Sequence, residues 1–365
     1  MSKRIAAIAG LLVTLAATAG VAIAIWPDRT ADSGTEAVAA SGGRSETAAN
    51  GLAQADGIPG NAPPARTPEQ VPAEKAPGII PATDARFALG PAPVPLPVTP
   101  RLKRPPAAGV LFDVDSGEVL WQSHPRERRP MASLTKMMTA LLIAEGDPAA
   151  DRVMISAKAA HTPGSATGLL PAGRTVPLEP LLEALIMISA NDAAVALAEH
   201  DSGTTARFVK RMNERAVSMG LTCTHFSTPN GLKDGDNHSC ASDLAALARA
   251  DLANSRIAGI ARTRYAKPRF PIKGHRLHLA NNHYFLGHGL NGIPGARVTG
   301  LKTGWTDGAG RCYVTSAELE GHHLGVVVLD SPDPIRQVPA LLRAGFVEVG
   351  AAPPKVGGTG SSPIP

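Results

Sequence analysis

Aromatic side chains are scarce in this 365-residue chain, where Phe, Trp and Tyr together make up 4%. Single-stranded nucleic acids are held by aromatic platforms beside basic grooves. No basic helix or aromatic-interleaved stripe is visible here, so nucleic-acid binding is not expected. The basic residues read as scattered, apart from Arg101, Lys103 and Arg104 and the trio Arg126, Arg128 and Arg129. The net charge of +5 therefore points to a solvated face or to affinity for an anionic envelope polymer.

Cysteine is equally sparse. Three cysteines cannot all pair within one chain, and no Cys–His spacing matches a zinc site. Cys223 and Cys240 flank a polar, loop-like stretch, which permits a disulfide in an oxidising compartment; Cys312 reads as a small buried hydrophobe in a strand. The eleven histidines lack the i, i+4 pairing with Glu used by helical metalloproteases. No metal or cofactor is expected.

What the chain does have is proline and glycine, 33 and 37 residues, concentrated early. Residues 27–105 are rich in Ala, Pro, Gly, Thr and Ser and cannot bury enough apolar surface to offset ordering, so they read as a disordered linker. Before them, Lys3 and Arg4 precede an uncharged run from Ile5 to Trp26. That pattern is a secretory signal, and its length also suits a membrane span of about 20 residues. Residues 1–26 are thus a cleaved signal or a retained anchor; the linker favours the anchor, and either implies export. The expected globular domain is 106–350, followed by a flexible tail, 351–365.

Within that domain, Pro130-Met131-Ala132-Ser133-Leu134-Thr135-Lys136 leads into the apolar run Met137, Met138, Leu141 and Leu142. The pattern predicts a helix entered at Pro130 with Ser133 at its N-terminus. Ser133 and Lys136 stand at i and i+3 on one face, so a neutral lysine can take the serine proton. Alone, Ser-x-x-Lys is more commonly a helix cap and a solvated lysine. Other motifs must decide.

Upstream, Val110–Val114 and Glu118–Trp121 flank a turn at Asp115-Ser116-Gly117, a hairpin signal. Helices are expected from 178 to 188, from Ala193 at once after a break at Ser189-Ala190-Asn191-Asp192, from 204 to 219, and from Ser242 to Leu252 with Ser242 as cap. Val298–Thr306 begins as a strand, 311–317 and 324–329 form a hairpin, and a helix from Pro339 to Val347 closes the domain. Strands at both ends with helices between predict an α+β fold, an antiparallel sheet flanked by helices with a mostly helical subdomain, in which the first and last strands share the sheet.

Ser133-x-x-Lys136, Ser189-x-Asn191 and Lys302-Thr303-Gly304 stand in this order. The set resembles the penicillin-recognising active-site serine acyl transferases. With Pro229-Asn230-Gly231-Leu232 and Gly300–Thr306, residues 106–350 look most like the D-alanyl-D-alanine carboxypeptidases of the low-molecular-mass penicillin-binding proteins. The resemblance implies a peptidoglycan stem peptide ending in D-Ala-D-Ala as substrate and β-lactams as covalent inhibitors. It implies Ser133 as nucleophile, Lys136 as base, Ser189 as proton relay and Asn191 as orienting amide. Lys302 and Thr303 would serve the substrate carboxylate, with Gly304 beside them, and the backbone N–H groups of Ser133 and Trp305 would form the oxyanion hole.

Relatives often carry an arginine ahead of the last motif to bind that carboxylate; here the stretch is Asn281-Asn282-His283-Tyr284-Phe285, with Arg297 as a candidate substitute. No Glu-x-x-Leu-Asn stretch, as in class A β-lactamases, lies between Asn191 and Lys302. An endopeptidase, a β-lactamase and a catalytically silent wall-binding module remain the competing readings.

Overall fold

The computed structural model describes residues 84–232 and 236–351. The expected first hairpin forms as β1 (Ala108–Asp113) and β2 (Val119–Ser123). Asp113 Oδ1 accepts the backbone N–H of Asp115 at 3.1 Å and of Ser116 at 2.8 Å, which fixes the turn. A two-residue strand, β3 (Arg129–Pro130), leads through a 3-10 turn at Ala132–Thr135 into α1 (Lys136–Gly146). There follow β4 (Arg152–Met154), α2 (Ala157–Ala160), β5 (Thr175–Pro177), α3 (Leu178–Met187), α4 (Asn191–Ser202) and α5 (Thr205–Ser218). Next come β6 (His238–Ser239), α6 (Ala241–Ala253), α7 (Ser255–Ala261), β7 (Tyr265–Ala266), β8 (Leu279–Ala280) and α8 (Tyr284–His288). The chain closes with β9 (Arg297–Thr306), β10 (Gly310–Leu319), β11 (His322–Leu329) and α9 (Pro334–Glu348).

The main sheet runs β2-β1-β11-β10-β9, antiparallel at every junction. The fold is therefore α+β, with the first and last strands paired as expected: Val110 faces Val327 and Leu111 faces Val326. β1 is apolar from Ala108 to Phe112 because both of its faces are buried there. Val110 and Phe112 join the core shared with α1, α3, α4 and α6, whereas Leu111 joins Val338, Leu341, Leu342 and Phe346 beneath α9. A strand covered on both sides loses the polar alternation of a half-exposed one.

Four expectations need correction. The ordered domain begins earlier than residue 106. Asp84 donates its N–H to Ser218 O at 2.6 Å and ion-pairs with Arg215 at 2.9 Å, both side chains being buried, and Val98 is buried with its N–H on Leu120 O. One buried ion pair and one seated valine hold a segment whose composition reads as linker. Pro130 does not open a helix but pairs with His238 in β3–β6, so Ser133 lies in a 3-10 turn and α1 starts at Lys136. The helix expected at Ser242 starts one residue earlier, with Cys240 at its N-cap position. The closing helix starts at Pro334 rather than Pro339, capped by the Asp333 side chain. The signal or anchor reading of residues 1–26 lies outside the described residues, as does the tail beyond Ala351. Among the described residues no helix is long and apolar enough to cross a membrane. Cys223 and Cys240 form a disulfide with Cα atoms 5.6 Å apart, and Cys312 is buried in β10.

Candidate active site

The 3-10 turn and the first residue of α1 bring Ser133 Oγ to 2.9 Å from Lys136 Nζ. Lys136 is 1% exposed, and its amine also donates to Asn230 O at 2.6 Å. Burial holds its pKa well below the ordinary lysine value; the nearby Lys302 cation lowers it further, and Asp192 opposes them. A neutral amine has two N–H groups and one lone pair. With an N–H committed to Asn230 O, the lone pair is left for the Ser133 hydroxyl.

Two glycines press on this turn. A Cβ at Gly231, where φ is +73°, would fall 2.0 Å from Ala132 O and 2.7 Å from Thr135 Oγ1. A Cβ at Gly304 would fall 2.9 Å from Ser133 N and 3.2 Å from Met131 O. The loop carrying Asn230 and the edge strand β9 can touch the nucleophile turn only because both positions lack a side chain.

The polar break between α3 and α4 supplies the next groups. Neither Ser189 nor Asn191 caps α4: Ala190 occupies the N-cap position and makes no side-chain cap. Ser189 has φ of +60°, in the left-handed region, and its buried Oγ meets no hydrogen-bond partner among the described residues. Backbone strain and unpartnered buried hydroxyls cluster at functional positions, and Ser189 combines the two. Asn191 donates from Nδ2 to Pro163 O at 2.9 Å, and its N–H reaches Ser165 O at 2.6 Å. Asp192, buried beside it, accepts from Thr167 N at 2.9 Å, Thr167 Oγ1 at 2.6 Å and Ala193 N at 2.8 Å. These bonds fasten the 163–168 loop to the start of α4.

Lys302 is buried in β9 and donates to Thr303 O at 2.9 Å; burial brings its pKa down to about 7. Thr303 is half-buried, and Trp305 is 47% exposed. β9 is last in the sheet order, so its outer edge is open to a peptide strand. Near Lys302, His283 Nε2 lies 3.3 Å from Val314 O and 3.2 Å from Thr315 Oγ1. Burial, with the Lys302 charge contributing, lowers its pKa to about 4, so the ring is neutral at physiological pH. Arg297 does not reach this place. It pairs with Glu318 at the start of β9, about 20 Å along the strand from Thr303 at the usual rise per residue.

The structure thus joins Ser133 to Lys136, sets the Lys302 and Asp192 charges close enough to act on the Lys136 amine, and ties Asn191 to the 163–165 loop, with Thr303, Gly304 and Trp305 following Lys302 along β9. The matching family model describes D-alanyl-D-alanine carboxypeptidase and covers residues 103–333. The chain belongs to this family. Among its relatives, the D-alanyl-D-alanine carboxypeptidase DacF of Bacillus subtilis is 33% identical over 241 residues, 65% of this chain and 60% of that protein. DacA of Escherichia coli is 35% identical over 221 residues, 57% of this chain and 52% of that protein. The chain spans little more than half the length of these curated relatives. A D-alanyl-D-alanine carboxypeptidase structure from Mycobacterium tuberculosis superposes with TM-score 0.62 at 29% identity, covering 68% of this chain and 94% of that one. Penicillin-binding protein 6B of Escherichia coli gives TM-score 0.61 at 30% identity, covering 69% and 80%.

Two contributors to this carboxypeptidase-family site carry little sequence signal. Asn230 acts through its main-chain carbonyl, which any residue supplies, although Pro229-Asn230-Gly231 flags a tight turn. Asp192 follows the Ser189-x-Asn191 motif directly and could have been found as an acid at the first turn of α4.

Proposed function

We propose that this chain is an exported serine-type D-alanyl-D-alanine carboxypeptidase. It would remove the terminal D-alanine of peptidoglycan stem peptides through an acyl-enzyme and be acylated by β-lactams. The observation that carries the reading is the contact of Ser133 Oγ with a buried Lys136 amine whose protonated form is disfavoured by burial and by Lys302. Lys136 takes the hydroxyl proton as Ser133 Oγ attacks the penultimate D-alanine carbonyl. The Ser133 and Trp305 N–H groups hold the oxyanion. Ser189 passes the proton to the departing D-alanine amine, Asn191 orients Lys136 and the substrate amide, and Lys302 and Thr303 receive the terminal carboxylate. Water then cleaves the ester. The Cys223–Cys240 disulfide supports an oxidising, exported location.

The test is the purified full chain with a diacyl-Lys-D-Ala-D-Ala tripeptide and, separately, benzylpenicillin. The expected results are free D-alanine and an intact-mass adduct on the protein. Penicillin consumed without a lasting adduct would instead indicate a β-lactamase, and neither reaction a silent binding module.

Gly304→Ala is expected to slow acylation about 10²- to 10³-fold, because its methyl group would crowd the Ser133 N–H. Stopped-flow acylation by a chromogenic β-lactam checks this. The pH profile follows from Lys302. Its cation is present below about pH 7 and lost above, so kcat/KM is expected to fall as pH rises through about 7. A bound carboxylate favours the cation, so the same limb in kcat should lie at higher pH. A kcat/KM that kept rising to alkaline pH would show that neutral Lys302 suffices.

A further inference from the structure

Between Leu252 and Thr306 the chain contains no Asp or Glu, and within that span Arg262, Arg264, Lys267, Arg269, Lys273 and Arg276 run from the C-cap of α7 through one short hairpin. All six are exposed. None of them forms an ion pair among the described residues. Of the 36 Lys and Arg in the chain these are six; the other 30 face 31 Asp and Glu, so the whole positive excess resides here. The scattered distribution read from the sequence is corrected by the fold.

The hairpin is well held. β7 pairs with β8 through Tyr265–Ala280 and Ala266–Leu279, and Arg269 bridges to Arg276. Asn281 Nδ2 donates to Ala261 O at 3.2 Å and Thr263 O at 3.0 Å, closing the base. Phe270, Leu277 and Leu279 turn inward to the core, so the cations between them turn outward. Like charges fixed side by side repel one another. An arm that keeps them without internal acids is built for an external anion.

We propose that this hairpin docks the domain on an anionic phospholipid surface. The cations flank β7 on both sides, pair as Arg269 and Arg276 in a bridge beyond it, and include Lys273 at the turn, so they are spread over the length of the arm as an extended anionic surface requires. Four of the six are arginines, whose guanidinium groups grip phosphate oxygens bidentately. Tyr265 is 68% exposed with the Arg264 guanidinium 5.5 Å from its ring, an aromatic–cation pair of the kind found at lipid headgroup depth. The uncharged run Ile5–Trp26, long enough for a bilayer, lies in the same chain and would keep the domain near such a surface.

The experiment uses the full chain bearing Tyr265→Cys with an environment-sensitive fluorophore. Labelling is confined to that position because Cys223 and Cys240 are bonded and Cys312 is buried. The expected result is a blue shift with vesicles containing phosphatidylglycerol, none with phosphatidylcholine alone, and reversal by high salt. Replacing Arg264→Gln, Lys267→Gln, Arg269→Gln and Lys273→Gln together should weaken the response roughly fivefold per cation removed. Far-UV circular dichroism confirms that the variant is folded. An equal response to both vesicle types, a response to a soluble anionic polysaccharide but not to vesicles, or an unaltered response in the Gln variant would each overturn the proposal.

Discussion

Ser133→Ala is expected to abolish both the penicillin adduct and D-alanine release, a loss of roughly a millionfold in turnover by analogy with other removed serine nucleophiles. Nothing else within reach can replace the lost oxygen. Thr135 Oγ1 is buried under Gly231, and Ser189 Oγ is buried in the α3–α4 break with no hydrogen bond to Lys136. Only one hydrogen bond, to Lys136, is removed, so stability should change by no more than about 1 kcal/mol. Intact mass after penicillin exposure and a thermal melt check the two halves together. A persistent adduct at full stability would remove Ser133 from the mechanism.

Lys136→Met carries the second large effect. Methionine fills nearly the same space in the core around Leu134 and Leu141 but offers no lone pair, so acylation should fall about 10²- to 10⁴-fold, the usual contribution of a positioned base. The fold should tolerate it. Asn230 O loses its donor, which costs about 1–3 kcal/mol, and this is partly offset because a buried amine no longer needs desolvating. Acylation kinetics and melting temperature distinguish the outcomes: unimpaired acylation in a folded variant would assign proton removal to another group, Ser189 being the nearest candidate.

The sheet was legible because its inner strands β1 and β11 carry apolar runs buried on both faces, and the helices because Leu178 to Met187 and its neighbours repeat at helical spacing. Ser133 and Lys136 were legible as a pair even though Pro130 belongs to a strand. Three residues still make one turn whether the path is 3-10 or α. The rest depended on tertiary contacts that leave no local signature. Asn230 contributes a carbonyl, Ser189 a left-handed backbone, and Asp84 an ion pair across 131 positions to Arg215. Arg297 misled because nearness in sequence along a strand is distance in space. The basic hairpin escaped notice because its cations alternate with Pro, Phe, Ile and Leu; folding buries Phe270, Leu277 and Leu279 and leaves all six cations exposed.

The pairing of β1 with β11 sets an order of events as the chain is made. β1 waits for a neighbour that is synthesised more than two hundred positions later, and Gly304, which presses on the serine turn, also arrives late. Contacts of such long sequence separation form slowly, after the local helices. A nascent chain interrupted before β9 therefore has its serine and first lysine in sequence but no second lysine and no edge strand. The second lysine and the edge strand are thus the last parts of the site to join the serine turn.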